Sequence, residues 1–116
     1  MKDRLMKTSD KMLLSIQALA HPARLWIVAH LSDGRRAYVS ELAREAQISR
    51  PLMKMHLRKL EAAELVVSQF DTAESGKAAN FYEIVPFALA VDPQSIAQAG
   101  PFPTPGTLHS TGESDD

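Results

Sequence analysis

The most restrictive feature of the sequence is a pair of short helical patterns separated by only a few residues. Ser40 is a suitable N-cap for a segment about two turns long that ends near Ala46. Ile48-Ser49-Arg50-Pro51 then supplies an apolar residue, a second N-cap and a proline in the first turn, and the helical pattern continues over 52–63. This spacing predicts a helix-turn-helix.

Two further helices are predicted before this pair. Apolar residues recur at helical spacing over 5–20, which indicates an amphipathic first helix. His21-Pro22 ends it, because the residue before a proline is disfavoured in the helical region, and Pro22 suits the first turn of a second helix over 22–31. The short segment Ala37-Tyr38-Val39 is β-prone.

After residue 64 the apolar period changes from 3.6 to 2. Residues 65–70 and 80–85 are predicted strands, and 71–79 form the hairpin tip between them. The predicted fold is therefore α+β and mostly helical, a winged helix-turn-helix with the order α-α-β-α-α-β-β. Residues 1–92 are the predicted DNA-binding and dimerisation domain. The proline-, glycine- and serine-rich acidic segment 93–116 is predicted to be a disordered tail, with at most one or two helical turns over 94–99.

Composition narrows the possible functions. The 45% hydrophobic and 23% charged fractions are typical of a soluble globular domain, and the chain has no cysteine, which excludes disulfides and thiolate metal sites. No apolar run approaches the roughly 20 residues of a membrane span, so a cytoplasmic protein is expected. The net charge of -1 hides an asymmetry, because residues 1–70 carry +5 and the remainder carries -6. A basic body is compatible with phosphate binding.

Neither an enzyme nor a metal sensor is indicated. There is no nucleophile-base pair and no phosphate-binding glycine loop, so no catalytic residue or cofactor is expected. His21, His30, His56 and His109 show no i, i+4 pair, which makes a zinc or nickel site a minority interpretation. We expect His56 to be half-buried in support of the fourth helix, and His21 to pack at a helix junction.

The fourth helix carries the candidate DNA-binding residues. With Met53, His56, Leu57 and Leu60 turned inward, its outward face presents a mostly basic set, to which the hairpin tip adds one lysine. The full set is Ser49, Arg50, Pro51, Lys54, Met55, Arg58, Lys59 and Lys77. Arg50 and Lys54 are near the end of the helix that reads base edges, whereas Arg58, Lys59 and Lys77 are expected to contact phosphates. Ser49 and the first-turn amides would point toward a nearby phosphate.

Three stretches of the sequence resemble the ArsR-type winged helix repressors. They are Ala18-Leu19-Ala20-His21-Pro22-Ala23-Arg24-Leu25, Val39-Ser40-Glu41-Leu42-Ala43, and the segment from Ile48 through Leu60 to Ala63-Glu64-Leu65-Val66. The resemblance covers about residues 10–85. It implies a dimeric, usually repressing regulator that releases its operator when an effector binds.

The chain departs from that family in two places. Tyr38, Val39 and Ser40 occupy the positions of the Cys-Val-Cys element of metal-sensing members, so arsenic, cadmium or lead sensing there is not expected. Pro86 and Pro93 fall where members have a C-terminal dimerisation helix. Dimerisation is therefore expected to depend on the first helix, with help from Phe87, Leu89 and Val91. The expected interface residues are Leu5, Met12, Leu13, Ile16 and Leu19.

The resulting hypothesis is a homodimer that binds an imperfect palindromic operator in double-stranded DNA, with an unknown small-molecule effector as a further partner. Its recognition helices would enter successive major grooves about 34 Å apart. One alternative is a winged helix interaction module without specific DNA binding. Another is an activator or architectural DNA-binding protein that has no ligand.

Overall fold

A computed structural model of the chain describes residues 7–107. The elements are α1 (Thr8–Leu19), α2 (Pro22–His30), β1 (Ala37–Tyr38), α3 (Val39–Ala46), α4 (Arg50–Ala62), β2 (Val66–Thr72), β3 (Ala78–Ile84) and α5 (Pro93–Ala99), followed by a short 3-10 turn (Pro105–Thr107). The first seven elements have the predicted α-α-β-α-α-β-β order, and the winged helix-turn-helix fold is confirmed.

Local capping explains where the helices begin. The His21 ring accepts a hydrogen bond from the Ala23 amide at 3.0 Å, and Pro22 occupies the first turn of α2. The Ser49 hydroxyl accepts from the Leu52 amide at 3.2 Å at the start of α4. Three residues, 47–49, join α3 to α4, and Gln47 adopts the left-handed region with a φ of 61° to end α3. The turn of the helix-turn-helix is therefore set by backbone geometry and a serine cap.

The three strands form one antiparallel sheet in the order β1-β3-β2. Val66 pairs with Ile84 and Thr72 with Ala78, so the hairpin is paired almost to its tip. β1 pairs through Ala37 with Tyr82. The core lies between the helices and the base of this sheet. Its largest fully buried side chains are Ile27, Leu31, Leu42, Met53, Leu57, Leu60 and Val66.

The C-terminal segment packs back on α1. Asp92 caps α5 by accepting a hydrogen bond from the Ser95 amide at 2.8 Å, and Ala99 is buried. Pro93 occupies the first turn of α5, and this seven-residue helix agrees with the one or two turns expected over 94–99. The domain boundary at residue 92 stays a prediction, but the structure gives 93–107 a defined place beside α1.

The predicted dimer residues have different environments. Leu5 lies outside the described residues. Leu19 packs against the core, Met12 and Ile16 are half-buried, and Leu13 is 52% exposed.

Among residues 7–107 no single helix is long and apolar enough to cross a membrane. Helices α1 and α2 reach the required length and hydropathy only together, as a pair bent by 97°.

Candidate nucleic-acid interface

Helix α4 has a buried face and an exposed face. Met53, His56, Leu57 and Leu60 are all buried, as the sequence predicts, and His56 is only 2% exposed rather than half-buried. All seven predicted α4-region contact residues are exposed: Ser49, Arg50, Pro51, Lys54, Met55, Arg58 and Lys59. The exposed face is therefore available to a ligand, while the DNA contacts themselves stay a prediction.

A cleft forms between α4 and the wing, as we call the β2-β3 hairpin. Arg50, Lys54 and Lys77 all line it, and its volume is about 450 Å³. Tyr38 at the end of β1 and Val39 and Ser40 at the start of α3 also line it, together with wing residues that include Asn80. No carboxylate lines this wing cleft, so three cations from two separate elements converge on one acid-free surface.

The basic residues divide into paired and unpaired sets. Arg35 contacts Glu45 at 2.8 Å and Arg36 contacts Asp71 at 2.9 Å. The hydrogen bond from Arg36 holds the pKa of Asp71 below its usual value, so this carboxylate stays charged and keeps its partner. By contrast, within 7–107 no carboxylate lies within 4.0 Å of Arg50, Lys54, Arg58 or Lys77, and the same holds for other exposed cations such as Arg44 and Lys59.

The N-terminus of α4 offers less to a phosphate than the sequence suggests. Pro51 has no amide hydrogen, the Leu52 amide donates to the Ser49 hydroxyl, and the Met53 amide donates to the Ser49 carbonyl at 2.9 Å. In the described part of the chain, Arg50 keeps the one first-turn amide without an intramolecular acceptor. Anion contacts at this end must therefore come mainly from side chains, and Ser49 acts as a cap.

Beneath α4 lies a buried arginine to which the sequence interpretation assigned no role. Arg24, on α2, is only 8% exposed; its Nε donates to the Ala18 carbonyl of α1 at 2.7 Å, and its Nη1 lies 3.1 Å from Nδ1 of His56. A guanidinium can only donate, so Nδ1 accepts and the neutral ring carries its hydrogen on Nε2. Arg24 thus ties α1 and α2 to the recognition helix.

The surroundings of His56 favour its neutral form. Burial is the main cause that lowers its pKa, and electrostatic interactions with the nearby basic side chains His21, Arg24 and Lys59 lower it further. The His21 ring centroid is 4.5 Å from that of His56, which confirms that His21 packs at the helix junction. One sequence signal could have revealed the contact between Arg24 and His56: Arg24 is a charged residue on the mostly apolar helix α2.

The remaining histidines make no metal site in the described part of the chain. His30 stacks on Trp26 with ring centroids 3.8 Å apart and lies 3.6 Å from Glu45. No three His, Asp or Glu side chains within 7–107 come together at metal-binding distance. His109 lies outside the described residues.

Sequence comparison now places the chain in a family. A helix-turn-helix domain family matches residues 19–69. An uncharacterized HTH-type transcriptional regulator of Methanocaldococcus jannaschii is 35% identical over 80 residues, which is 69% of this chain and 82% of the relative. The chain belongs to the helix-turn-helix transcriptional regulators. It is a DNA-binding protein of transcription regulation.

Solved structures support the fold of this helix-turn-helix regulator. HlyU from Vibrio cholerae N16961 is 24% identical with a TM-score of 0.57, over 82% of this chain and 90% of that one. A transcriptional regulator HlyU from Vibrio vulnificus CMCP6 is 22% identical with a TM-score of 0.51, over 75% and 78% of the two chains. At these identities the likeness concerns the fold alone.

Two residues of the regulator's wing cleft were missed as contact candidates. From sequence, Tyr38 is part of a β-prone segment and replaces a metal ligand, and Asn80 is the first residue of a strand. Both line the cleft because Tyr38 on β1 pairs with Phe81 on β3, the residue next to Asn80. Their proximity depends on long-range strand pairing, which no local pattern encodes.

Proposed function

We propose that this regulator is a dimeric, ArsR-type repressor that acts in the cytoplasm without cysteine-based metal sensing. The observation that carries the proposal is the acid-free wing cleft, where Arg50, Lys54 and Lys77 converge beside an exposed recognition helix. DNA recognition needs exposed cations for phosphates and side chains at the N-terminal part of a helix for base edges. This surface provides both.

The cations are assigned different roles. Arg50, at the start of α4, would read a base edge in the major groove, and Lys54 would lie one turn further along the same side. Lys77 at the wing and Arg58 on α4 would contact phosphates. In this assignment the N-terminal part of α4 supplies sequence preference, and Arg58 and the wing supply affinity that does not depend on sequence.

A two-fold dimer would present two such surfaces to an imperfect palindrome. Leu13 on α1 is 52% exposed, and Phe87, Val91 and Ile96 are exposed on the segment that packs beside α1. Exposed large apolar side chains are typical of an interface, so we assign the dimer contact to these two segments. A Leu13→Lys variant should therefore be monomeric by analytical ultracentrifugation at a concentration where the wild type is dimeric. Leu25→Lys on α2, where Leu25 is 53% exposed, is the matched control.

DNA binding is tested with duplex from upstream of the gene against random duplex across a salt series. Arg50→Ala should cost about 1–3 kcal/mol on the preferred site and relax base preference, because it removes a base contact. Lys77→Ala should weaken binding to both duplexes and reduce the salt slope by about 1. Arg44→Ala, which removes an exposed cation of α3 outside the cleft, is the control.

Two results would contradict the proposal. Equal losses on specific and random DNA for Arg50→Ala and Lys77→Ala would reject the division of roles. If the wild type shows no preference for any duplex at any salt, the winged helix interaction module becomes the better hypothesis.

A further inference from the structure

A second basic surface lies on the opposite flank of α4 from the wing cleft. It is a groove of about 410 Å³ between α1 and α4, which we call the α1-α4 groove, and its lining residues are Leu14, Gln17, Ala18, Arg24, Lys59 and Ala62. Its volume is within the range of about 300–1,000 Å³ seen for small-molecule sites. From sequence, Lys59 is expected to contact a phosphate of DNA. In the structure it lines this groove.

The charges of the groove are unbalanced. Arg24 and Lys59 are cations, and none of the other lining residues is acidic. Beneath them lies His56, and the three groups that lower its pKa electrostatically are all basic. Within 7–107 neither Arg24 nor Lys59 has a carboxylate within 4.0 Å. An anion in the groove would supply the missing negative charge.

The guanidinium of Arg24 has one nitrogen left to donate to such a ligand. Its Nε and Nη1 are occupied by Ala18 and His56, whereas Nη2 donates no hydrogen bond within the described residues and is not fully buried. The side chain is held rigidly by burial, so little entropy is lost when this nitrogen binds a carboxylate. Leu14, Ala18 and Ala62 add apolar contact beside the two cations.

We infer that the α1-α4 groove binds a small organic carboxylate with an apolar body, held by Arg24 and Lys59. Arg24 also holds His56 of the recognition helix, so occupancy changes the contact that fixes α4 on α1 and α2. The ligand therefore alters DNA affinity, and DNA alters ligand affinity by the same factor. This second half rests on the proposed function, whereas the binding itself does not.

Benzoate is the probe for binding, and benzamide is its neutral counterpart of the same shape. In a titration of the DNA-free full chain followed by amide NMR, benzoate should give saturable shifts at Leu14, Ala18 and Ala62. Benzamide should bind about tenfold more weakly, because it cannot make the charged hydrogen bonds to Arg24. The absence of saturable shifts in the millimolar range, or equal binding of the two probes, would overturn the inference.

Variants that spare the buried arginine locate the site. Lys59→Gln should weaken benzoate binding about twofold to fivefold, as expected for one exposed ion pair. Ala62→Phe, at an exposed position, should abolish binding by filling the groove while both cations remain. Lys11→Gln makes the same charge change at a lysine of α1 that lines a different pocket, and it should leave the affinity unchanged. A loss with Lys11→Gln and none with Lys59→Gln would refute the assigned site.

A final arm separates binding from regulation. Saturating benzoate should change the affinity of the wild type for its preferred duplex, and Ala62→Phe should be insensitive to it. If benzoate binds in the groove but DNA affinity stays constant, the regulatory half is wrong. If no preferred duplex exists, the proposed function fails while the NMR titration still decides the site.

Discussion

The two flanks of α4 use positive charge in different ways. In the wing cleft, Arg50, Lys54 and Lys77 are exposed and lack a carboxylate partner within the described residues, so their side chains can adapt to a ligand. On the other flank, Arg24 is buried and makes two fixed hydrogen bonds, one of them to His56. Salt weakens the contribution of exposed cations to binding affinity. A buried cation fixes the positions of its hydrogen-bond partners, and salt hardly changes that effect.

This contrast indicates what holds the recognition helix in place. The inner face of α4 is mostly apolar, but hydrophobic contact does not fix the rotation of a helix by itself. The hydrogen bond between Arg24 and His56 is directional and joins residues 32 positions apart in the chain. We therefore assign the orientation of α4 partly to this buried polar contact.

The largest expected effect comes from removing the buried cation. Arg24→Ala leaves the Ala18 carbonyl and the His56 Nδ1 without a donor in a buried environment. The free energy of unfolding should fall by about 2–4 kcal/mol, measured by urea denaturation. Arg58→Ala on the exposed face of α4 should change it by no more than about 0.5 kcal/mol. Similar losses for the two variants would abolish the distinction between the flanks.

The second expected effect is a dependence of stability on pH. Burial, followed by the nearby positive charges, lowers the pKa of His56 in the folded state below the ordinary value of 6.5. The unfolded chain therefore binds more protons in the interval between the two values, and stability rises with pH across it. The contribution of neutral His56 is complete above the unfolded pKa and is lost as the pH falls through the folded pKa.

His56→Gln is the variant that tests this dependence. The amide oxygen of glutamine can accept the hydrogen bond from Arg24 but does not titrate. Between pH about 7.5 and 5.5, above most carboxyl groups, the wild type should lose stability more steeply than the variant. One proton accounts for at most about 1.4 kcal/mol per pH unit. Equal slopes would mean that a group other than His56 sets the pH dependence of stability.

Much of the fold followed from local signals. Pro22 and Ser49 mark the starts of α2 and α4 because capping and proline geometry depend on adjacent residues. Local patterns were less accurate in the wing, where strand pairing extends to Thr72 and Ala78, inside the predicted tip of 71–79. A turn around Gly76 closes the hairpin, with the Ala73 amide donating to the Lys77 carbonyl at 2.7 Å. Cross-strand pairing extended the strands into residues that have weak strand propensity.

The site was only partly predictable for a related reason. Helical periodicity correctly placed Arg50, Lys54 and Arg58 on the exposed face of α4. It could not distinguish Lys54 from Lys59, because both are exposed and their neighbours come from different elements. β1 and the wing flank Lys54, whereas α1 flanks Lys59. The contact between Arg24 and His56 was unpredictable for the same reason, since its partners meet only in the folded chain.

The smallest expected effect sharpens the comparison between these two lysines. On random duplex, where no preferred base is available to Lys54 and its side chain contacts a phosphate instead, Lys54→Gln should weaken binding and reduce the salt slope by about 0.9, the value for one phosphate contact. Lys59→Gln makes the same charge change further along α4, on the flank that faces the α1-α4 groove. It should leave the salt slope unchanged. Fluorescence anisotropy on random duplex at several salt concentrations measures both slopes. If Lys59→Gln flattens the slope as much as Lys54→Gln, both flanks of α4 contact DNA, and the α1-α4 groove would be covered in the complex.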